Sequence, residues 1–345
     1  MERAARLQGL LLGTAVGDAL GLPLEGLSPR RAGRLFPGEP RMRLLPGTGL
    51  VSDDTEHTLL VAASLCRHPD DAQAFARDLA RGLRWWLLAL PAGVGWATLR
   101  ATLKLWLGVP PARSGVWSAG NGPAMRVALL GAFLADRERQ LEAHVRAATV
   151  LTHRDPRALV GALAVARLAA AIMAGAPLSR RRLLALLAGC GPADREWRAR
   201  LALLGRALRG NWPAARLAGA YGLQRGVSGY IYHSVPMAIH CWYRHQQNFR
   251  TALTEAVKLG GDTDTVAAIA GALAGLSVGE AGIPRDWLTG LRDWPRGRRL
   301  LARTATALAE GGPAPDYCWP ALALRNLLFL LVVLAHGIRR LAPPY

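Results

Sequence analysis

Two short stretches of the chain set paired carboxylates beside hydroxyls. The first is Ser52-Asp53-Asp54-Thr55-Glu56, followed by the apolar residues Leu59, Leu60, Val61, Ala62, Ala63 and Leu65. The second is Gly260-Gly261-Asp262-Thr263-Asp264-Thr265, which leads into the small-residue run Val266 to Gly275. Each reads as the mouth of a helix. One carboxylate there is the ordinary way to satisfy free backbone N–H groups, so the first cluster, read alone, also suits capping. A cap needs only one acid, however, and adjacent carboxylates repel each other unless something positive lies between them. Hard oxygen donors without His or Cys select Mg²⁺, Mn²⁺ or Ca²⁺ over zinc, and four carboxylates suffice for two divalent ions. The expected ligand set is Ser52, Asp53, Asp54, Asp262, Asp264 and Thr265. The paired Gly260 and Gly261 permit positive φ and let backbone come close to a ligand.

Other residues qualify on weaker grounds. Gly120-Asn121-Gly122 ahead of Pro123 offers backbone N–H groups to an anion, although such triplets are also common turns. His153 stands near a helix start marked by Asp155 and Pro156, where a histidine serves packing as readily as ligand contact. Within Gly229-Tyr230-Ile231-Tyr232-His233 a tyrosine face suits stacking on a base, and core packing explains either ring equally. Glu25 lies in a turn after Pro23, where a carboxylate is ordinarily solvated. Asp18, inside an apolar run, is expected to be a buried carboxylate satisfied by backbone donors.

The elements that position these residues are helical. Apolar residues recur at helical spacing, Ala and Leu dominate, and no sustained alternation of Val, Ile or Thr appears, so the expected class is all-α. Helices are predicted over 6–20, 55–66, 71–90, 123–134, 156–174, 180–188, 248–257, 265–276 and 322–334. Gly13 and Gly17 share one face of the first, which lets another backbone approach closely. Residues 1–320 are expected to form one helical domain, with 321–345 a C-terminal apolar helix and tail packed on it.

At 345 residues and 51% hydrophobic composition the chain has ample area for a core, which excludes disorder. The net charge of +19 suits a phosphate-bearing ligand, nucleic acid or an anionic membrane, but the arginines are scattered rather than clustered. Four separated cysteines give neither a zinc motif nor a disulfide framework, and no export signal is apparent, which suits a reducing, cytoplasmic setting. The apolar run Leu327 to Ala335 is too short to span a bilayer, so no transmembrane segment is expected; it suits a packed helix or one lying on a membrane surface.

Five motifs in this order resemble the ADP-ribosylglycohydrolase family, which includes dinitrogenase reductase-activating glycohydrolases and ADP-ribosylarginine and ADP-ribosylserine hydrolases. They are Gly13-x-x-x-Gly17-Asp18-Ala19-Leu20-Gly21 with Glu25, Ser52-Asp53-Asp54-Thr55, Gly120-Asn121-Gly122-Pro123-Ala124-Met125-Arg126, Thr152-His153, and Gly260-Gly261-Asp262-Thr263-Asp264-Thr265. The resemblance implies a compact orthogonal helical bundle and a metal-dependent hydrolase. It would cleave the bond between C1″ of ADP-ribose and a protein or small-molecule acceptor, using two Mg²⁺ ions, or Mn²⁺ in their place. It assigns the six-residue set above to the metals, Asp53, Asp54 and Glu25 to catalysis, Glu25 riding on a mobile acidic segment, and Gly120, Asn121, Gly122, Met125, His153 and Tyr230 to the substrate. Many members carry Thr where this chain has Ser52. A non-catalytic ADP-ribose-binding protein and a hydrolase acting on ADP-ribosylated nucleic acid are the alternatives. The acceptor and oligomeric state stay open.

Overall fold

The computed structural model describes residues 2–175, 177–316 and 318–341, and among these the chain forms eighteen α-helices and no strand. At its centre lie two apolar helices, Arg3–Gly21 and Thr263–Val278. The first carries glycine at every fourth position, Gly9, Gly13, Gly17 and Gly21, so one face has no side chains at all. That face meets the backbone of the second. A methyl group added at Gly17 would fall 2.0 Å from the Ala267 carbonyl oxygen, and one at Gly13 would fall 2.1 Å from that of Gly271. Gly9 meets Gly275 and Gly21 meets Thr263, so the two helices run antiparallel. The C-terminal end of the first helix is thereby fixed against the acidic mouth of the second.

Against this pair pack the helices Asp53–Arg67, Pro156–Met173, Ile231–Arg244, Phe249–Lys258 and Arg298–Glu310, with Ala72–Leu88 outside Asp53–Arg67, enclosing one continuous apolar core. Most predicted helices stand within a few residues of their observed bounds. Trp96–Trp106, Glu138–Val150, Arg195–Arg209, Ile231–Arg244 and Arg298–Glu310 were not among them. Ile231–Arg244 carries Pro236 inside it, which reads as a break in sequence. The helix expected over 123–134 is instead a 3₁₀ turn, Ala124–Arg126, followed by the short helix Ala128–Phe133.

The C-terminal helix runs from Trp319 to Arg339, 21 residues, and so is long enough to cross a bilayer, contrary to the expectation from the run Leu327 to Ala335. The polar residues that seemed to bound that run, Arg325, Asn326 and His336, are all buried against the body. Arg325 pairs with Asp293 and Glu56 and donates to the Val51 carbonyl at 2.7 Å; Asn326 donates to Ala89 O at 2.8 Å. The tail residues 342–345 lie outside the described residues.

Because backbone meets backbone along the glycine face, nothing flexible can yield to an added side chain there. Gly17→Ala gains about 1 kcal/mol of helix propensity yet forces the helices apart, and a net loss of roughly 1–3 kcal/mol is expected. Chemical denaturation checks this; an unchanged or raised midpoint would show that the contact is looser than described.

Candidate active site

Asp18 stands at the end of the glycine helix with no exposed surface. Its carboxylate accepts from the backbone N–H of Ser52 at 2.9 and 3.0 Å, from Thr55 N at 3.1 Å and from the Thr55 hydroxyl. It thus satisfies the start of the helix Asp53–Arg67 from outside that helix. Burial raises its pKa to about 6, against the pull of the Thr55 and Ser52 donors. This is the satisfied buried carboxylate its surroundings in the sequence suggest.

With those donors taken, the acids at the mouth of Asp53–Arg67 are released from capping. Asp71, Asp155 and Asp194 cap their own helices with their side chains. In the helices Asp53–Arg67 and Thr263–Val278 the N-cap residues, Ser52 and Asp262, make no such side-chain cap. Their acidic starts face each other across one cleft of about 670 Å³, lined by Ser52, Asp53, Asp262, Asp264, Thr265 and Glu25. Asp54 is fully buried just behind it; its Oδ2 accepts from the Ser52 hydroxyl at 3.4 Å and from the Thr265 hydroxyl of the opposing helix at 3.3 Å. Its Oδ1 has no partner. Asp264 Oδ1 accepts from Thr265 N at 3.0 Å, and Asp262 Oδ2 accepts from the Asn121 amide at 2.6 Å.

Burial and then the neighbouring acids hold Asp53, Asp54 and Asp264 well above the usual carboxylate range. Glu25 reaches the cleft rim, and the protein packed around it together with the Asp262 charge pushes it up to about 7, opposed by Arg340. Among the described residues no three carboxylate, His or Cys side chains close around one point as a ready-made cage. The donor set nonetheless fits a hard cation: an orphaned buried carboxylate oxygen, hydroxyls from both helices, and acids whose mutual repulsion only a positive charge relieves.

The Gly260–Gly261 turn adopts positive φ at both residues, +68° and +77°, as their pairing suggests. A side chain on Gly261 would strike the Val227 carbonyl oxygen at 2.0 Å. The turn with Glu25 is fastened to it, Gly26 N donating to Gly261 O at 2.7 Å. Arg340 also donates to Glu25 O at 2.6 Å and His336 Nε2 to Pro23 O at 2.8 Å, so the segment that carries Glu25 is hydrogen-bonded at three points.

The substrate residues divide. Gly120, Asn121, Gly122, Met125 and His153 line the cleft. The loop's N–H groups are largely committed, Asn121 N to Gly229 O at 2.9 Å and Gly120 N to the Ser118 hydroxyl at 3.2 Å, and only a 3₁₀ turn follows. The anion cradle expected there is correspondingly reduced. Tyr230 is not part of the cleft lining; its hydroxyl donates to Glu196 at 2.8 Å and Arg157 covers its ring. The aromatic walls are Trp96, which is 77% exposed, and Phe329, with Val333 beside it. None of these three carries a sequence signal, because each sits in an ordinary amphipathic helix. Behind the cleft the buried Arg126 donates to Ala148 O and to the Thr152 hydroxyl and contacts His57 Nδ1 at 3.0 Å.

His153 packs beneath Gly120 and Gly122, its Nδ1 2.8 Å from the Thr152 hydroxyl. Burial, helped by Arg126, lowers its pKa from 6.5 to about 3, so the folded ring stays neutral. The unfolded chain binds that proton near 6.5. Its contribution to stability is therefore complete above pH 6.5 and lost as pH falls toward 3. Between pH 6 and 5 the wild type should lose up to about 1.4 kcal/mol per pH unit more than His153→Gln in urea titrations. Parallel slopes for the two proteins would contradict a neutral buried ring.

A family model for ADP-ribosylglycohydrolase matches residues 1–316. An uncharacterised protein of Archaeoglobus fulgidus is 33% identical over 313 residues, covering 88% of this chain and 96% of its own. The ADP-ribosyl-[dinitrogen reductase] glycohydrolase of Rhodospirillum rubrum is 28% identical over 316 residues, covering 89% and 97%. A solved structure described as an ADP-ribosylglycohydrolase-related protein complex superposes with a TM-score of 0.67 at 31% identity, covering 90% of this chain and 99% of that one. With the motif order, the all-helical fold and the acidic cleft in agreement, the chain belongs to the ADP-ribosylglycohydrolase family and is a hydrolase.

Proposed function

We propose that the chain hydrolyses the glycosidic bond between C1″ of ADP-ribose and an acceptor, in the cleft between its two acidic helix mouths, with two magnesium ions held there. The observation that carries this reading is the pair of acidic mouths, neither capped by its own N-cap side chain, bridged by the Thr265 hydroxyl and Asp54 at 3.3 Å. Asp53, Asp54, Asp262 and Asp264, with the hydroxyls of Ser52 and Thr265, would hold the ions. When bound, they supply Lewis acidity and a fixed place for ribose hydroxyls and water. Manganese meets the same donor chemistry.

The chain's own groups then have defined tasks. Cleavage at C1″ develops oxocarbenium character, which the clustered carboxylates favour electrostatically. Asp53, half-exposed at the cleft, takes a proton from the incoming water. Glu25 at the rim is placed to pass that proton to solvent or to the departing group. Asn121 holds Asp262 in one orientation through its amide. Trp96 offers a flat apolar face to the adenine or ribose, and the buried Phe329 beside the cleft helps to shed water from it. No side chain named here reads the acceptor, so protein-linked and small-molecule ADP-ribose are both admitted.

Release of ADP-ribose from a panel of arginine-linked, serine-linked and acetyl-linked substrates, with and without chelator, tests the reading. Turnover of at least one substrate should require magnesium, and Asp53→Asn and Asp264→Asn should each lower it by roughly 10²–10⁴-fold. Unchanged turnover in both variants would exclude it.

A further inference from the structure

Among the described residues three helices are long and apolar enough to cross a membrane by length and composition, and they differ in what covers them. In their most apolar windows, Arg3–Leu24 is 94% buried inside the protein and Pro156–Met173 is 61% buried, whereas Trp319–Arg339 is only 28% buried. On its outer side Leu324, Leu327, Leu328, Leu331, Leu334 and Ile338 recur every three or four residues and are all exposed. That spacing makes one unbroken stripe, roughly 20 Å long, with no charge on it before Arg339. Six exposed apolar side chains in one row set this face apart from the singly scattered apolar residues of a solvated surface. The family match ends at residue 316, so the helix lies beyond it.

The ends of the stripe are built differently from its middle. At the N-terminal end the exposed rings of Trp319, Trp85 and Trp106 form a chain of edge contacts at 6.0 and 6.4 Å, with Arg84 over Trp106. At the C-terminal end stand Arg339 and Arg340, with Arg31 donating to the Arg340 carbonyl. The acids near the tryptophan end are Asp316 and Asp78, the latter paired with Arg67 and Arg81. Aromatic rings and arginines bordering an apolar strip match the layering of a bilayer interface, where rings and cations sit at headgroup depth.

We propose that this face docks flat on an anionic lipid bilayer, with the leucine stripe among the upper acyl chains and Arg339 and the tryptophan cluster at the headgroups. The helix stays in the plane because its inner side is anchored. Lifting it out would strip the buried Asp293 of its Arg325 counter-ion and take one of the two arginines paired with the buried Glu56. Charge decides against a second copy of the chain as the occupant: two bodies of +19 repel each other, whereas an anionic surface attracts each of them. The inner residues Phe329 and Val333 wall the cleft, so docking and site share one element. The proposal itself stands apart from the chemistry assigned to that cleft.

Sedimentation of the full chain with phosphatidylcholine vesicles, with and without phosphatidylglycerol, tests it. The wild type should pellet with the anionic vesicles and be released by salt. Leu327→Glu with Leu331→Glu, at exposed positions, should melt as the wild type does while its partitioning falls roughly tenfold or more. Arg339→Glu should weaken binding to anionic vesicles and leave the neutral ones unchanged. A wild type that stays in the supernatant, or a double variant that pellets equally, would overturn the proposal. A monomer–dimer equilibrium abolished by the double variant, without vesicle binding, would overturn it in favour of self-association.

Discussion

The site depends on one buried carboxylate doing the work of a cap for a helix to which it does not belong. Asp18, brought to the junction by the glycine face of its own helix, takes the N–H groups of Ser52 and Thr55. Had Ser52 or Asp53 been needed for that task, their oxygens would point back along the backbone. They are instead free to face Asp264 and Thr265 across the cleft. The glycine contact and the Asp18 junction are therefore one device: the first sets the distance between the acidic mouths, and the second sets what their side chains are free to do.

That arrangement works against stability. Asp53, Asp54 and Asp264 crowd one region in which burial and then the surrounding acids raise their pKa values, and Asp54 Oδ1 has no donor. Folding alone gains nothing from such a cluster, and sites that strain the fold in this way are characteristic of function. The surrounding braces are correspondingly heavy. The backbone around Val51, just ahead of the first mouth, is held by Asp293 and Arg325, and Glu56 is buried against Arg296, Arg325 and Trp86. The C-terminal helix thus braces the site through long side chains even though much of its surface is open.

Much of this was legible in the sequence where the signal is local. Paired acids at helix starts, a Gly-Gly turn and glycines four apart have direct backbone consequences, and the structure puts them to those uses. Side-chain direction was not legible in the same way. Tyr230 and Trp96 are each aromatic residues at a helix start, and only the packing of Glu196 and Arg157 around Tyr230 decides which one faces the cleft. The loop at Asn121 looked like an anion cradle because a long helix was expected after Pro123; a 3₁₀ turn follows, and the loop's donors are spent on its neighbours. The C-terminal helix was read as short because polar residues interrupt its apolar run, yet those residues turn inward.

The central claim is that the acid cluster is held together to receive cations, and metal-linked stability tests it without any substrate. The melting temperature of the metal-free wild type should rise with magnesium concentration, following the mass-action increase expected for a ligand that binds only the folded state. Asp54→Asn, which relieves the repulsion and removes a ligand, should melt higher than the wild type without metal and respond little to magnesium. A wild type indifferent to magnesium, or an Asn variant that melts lower and still responds fully, would contradict the account.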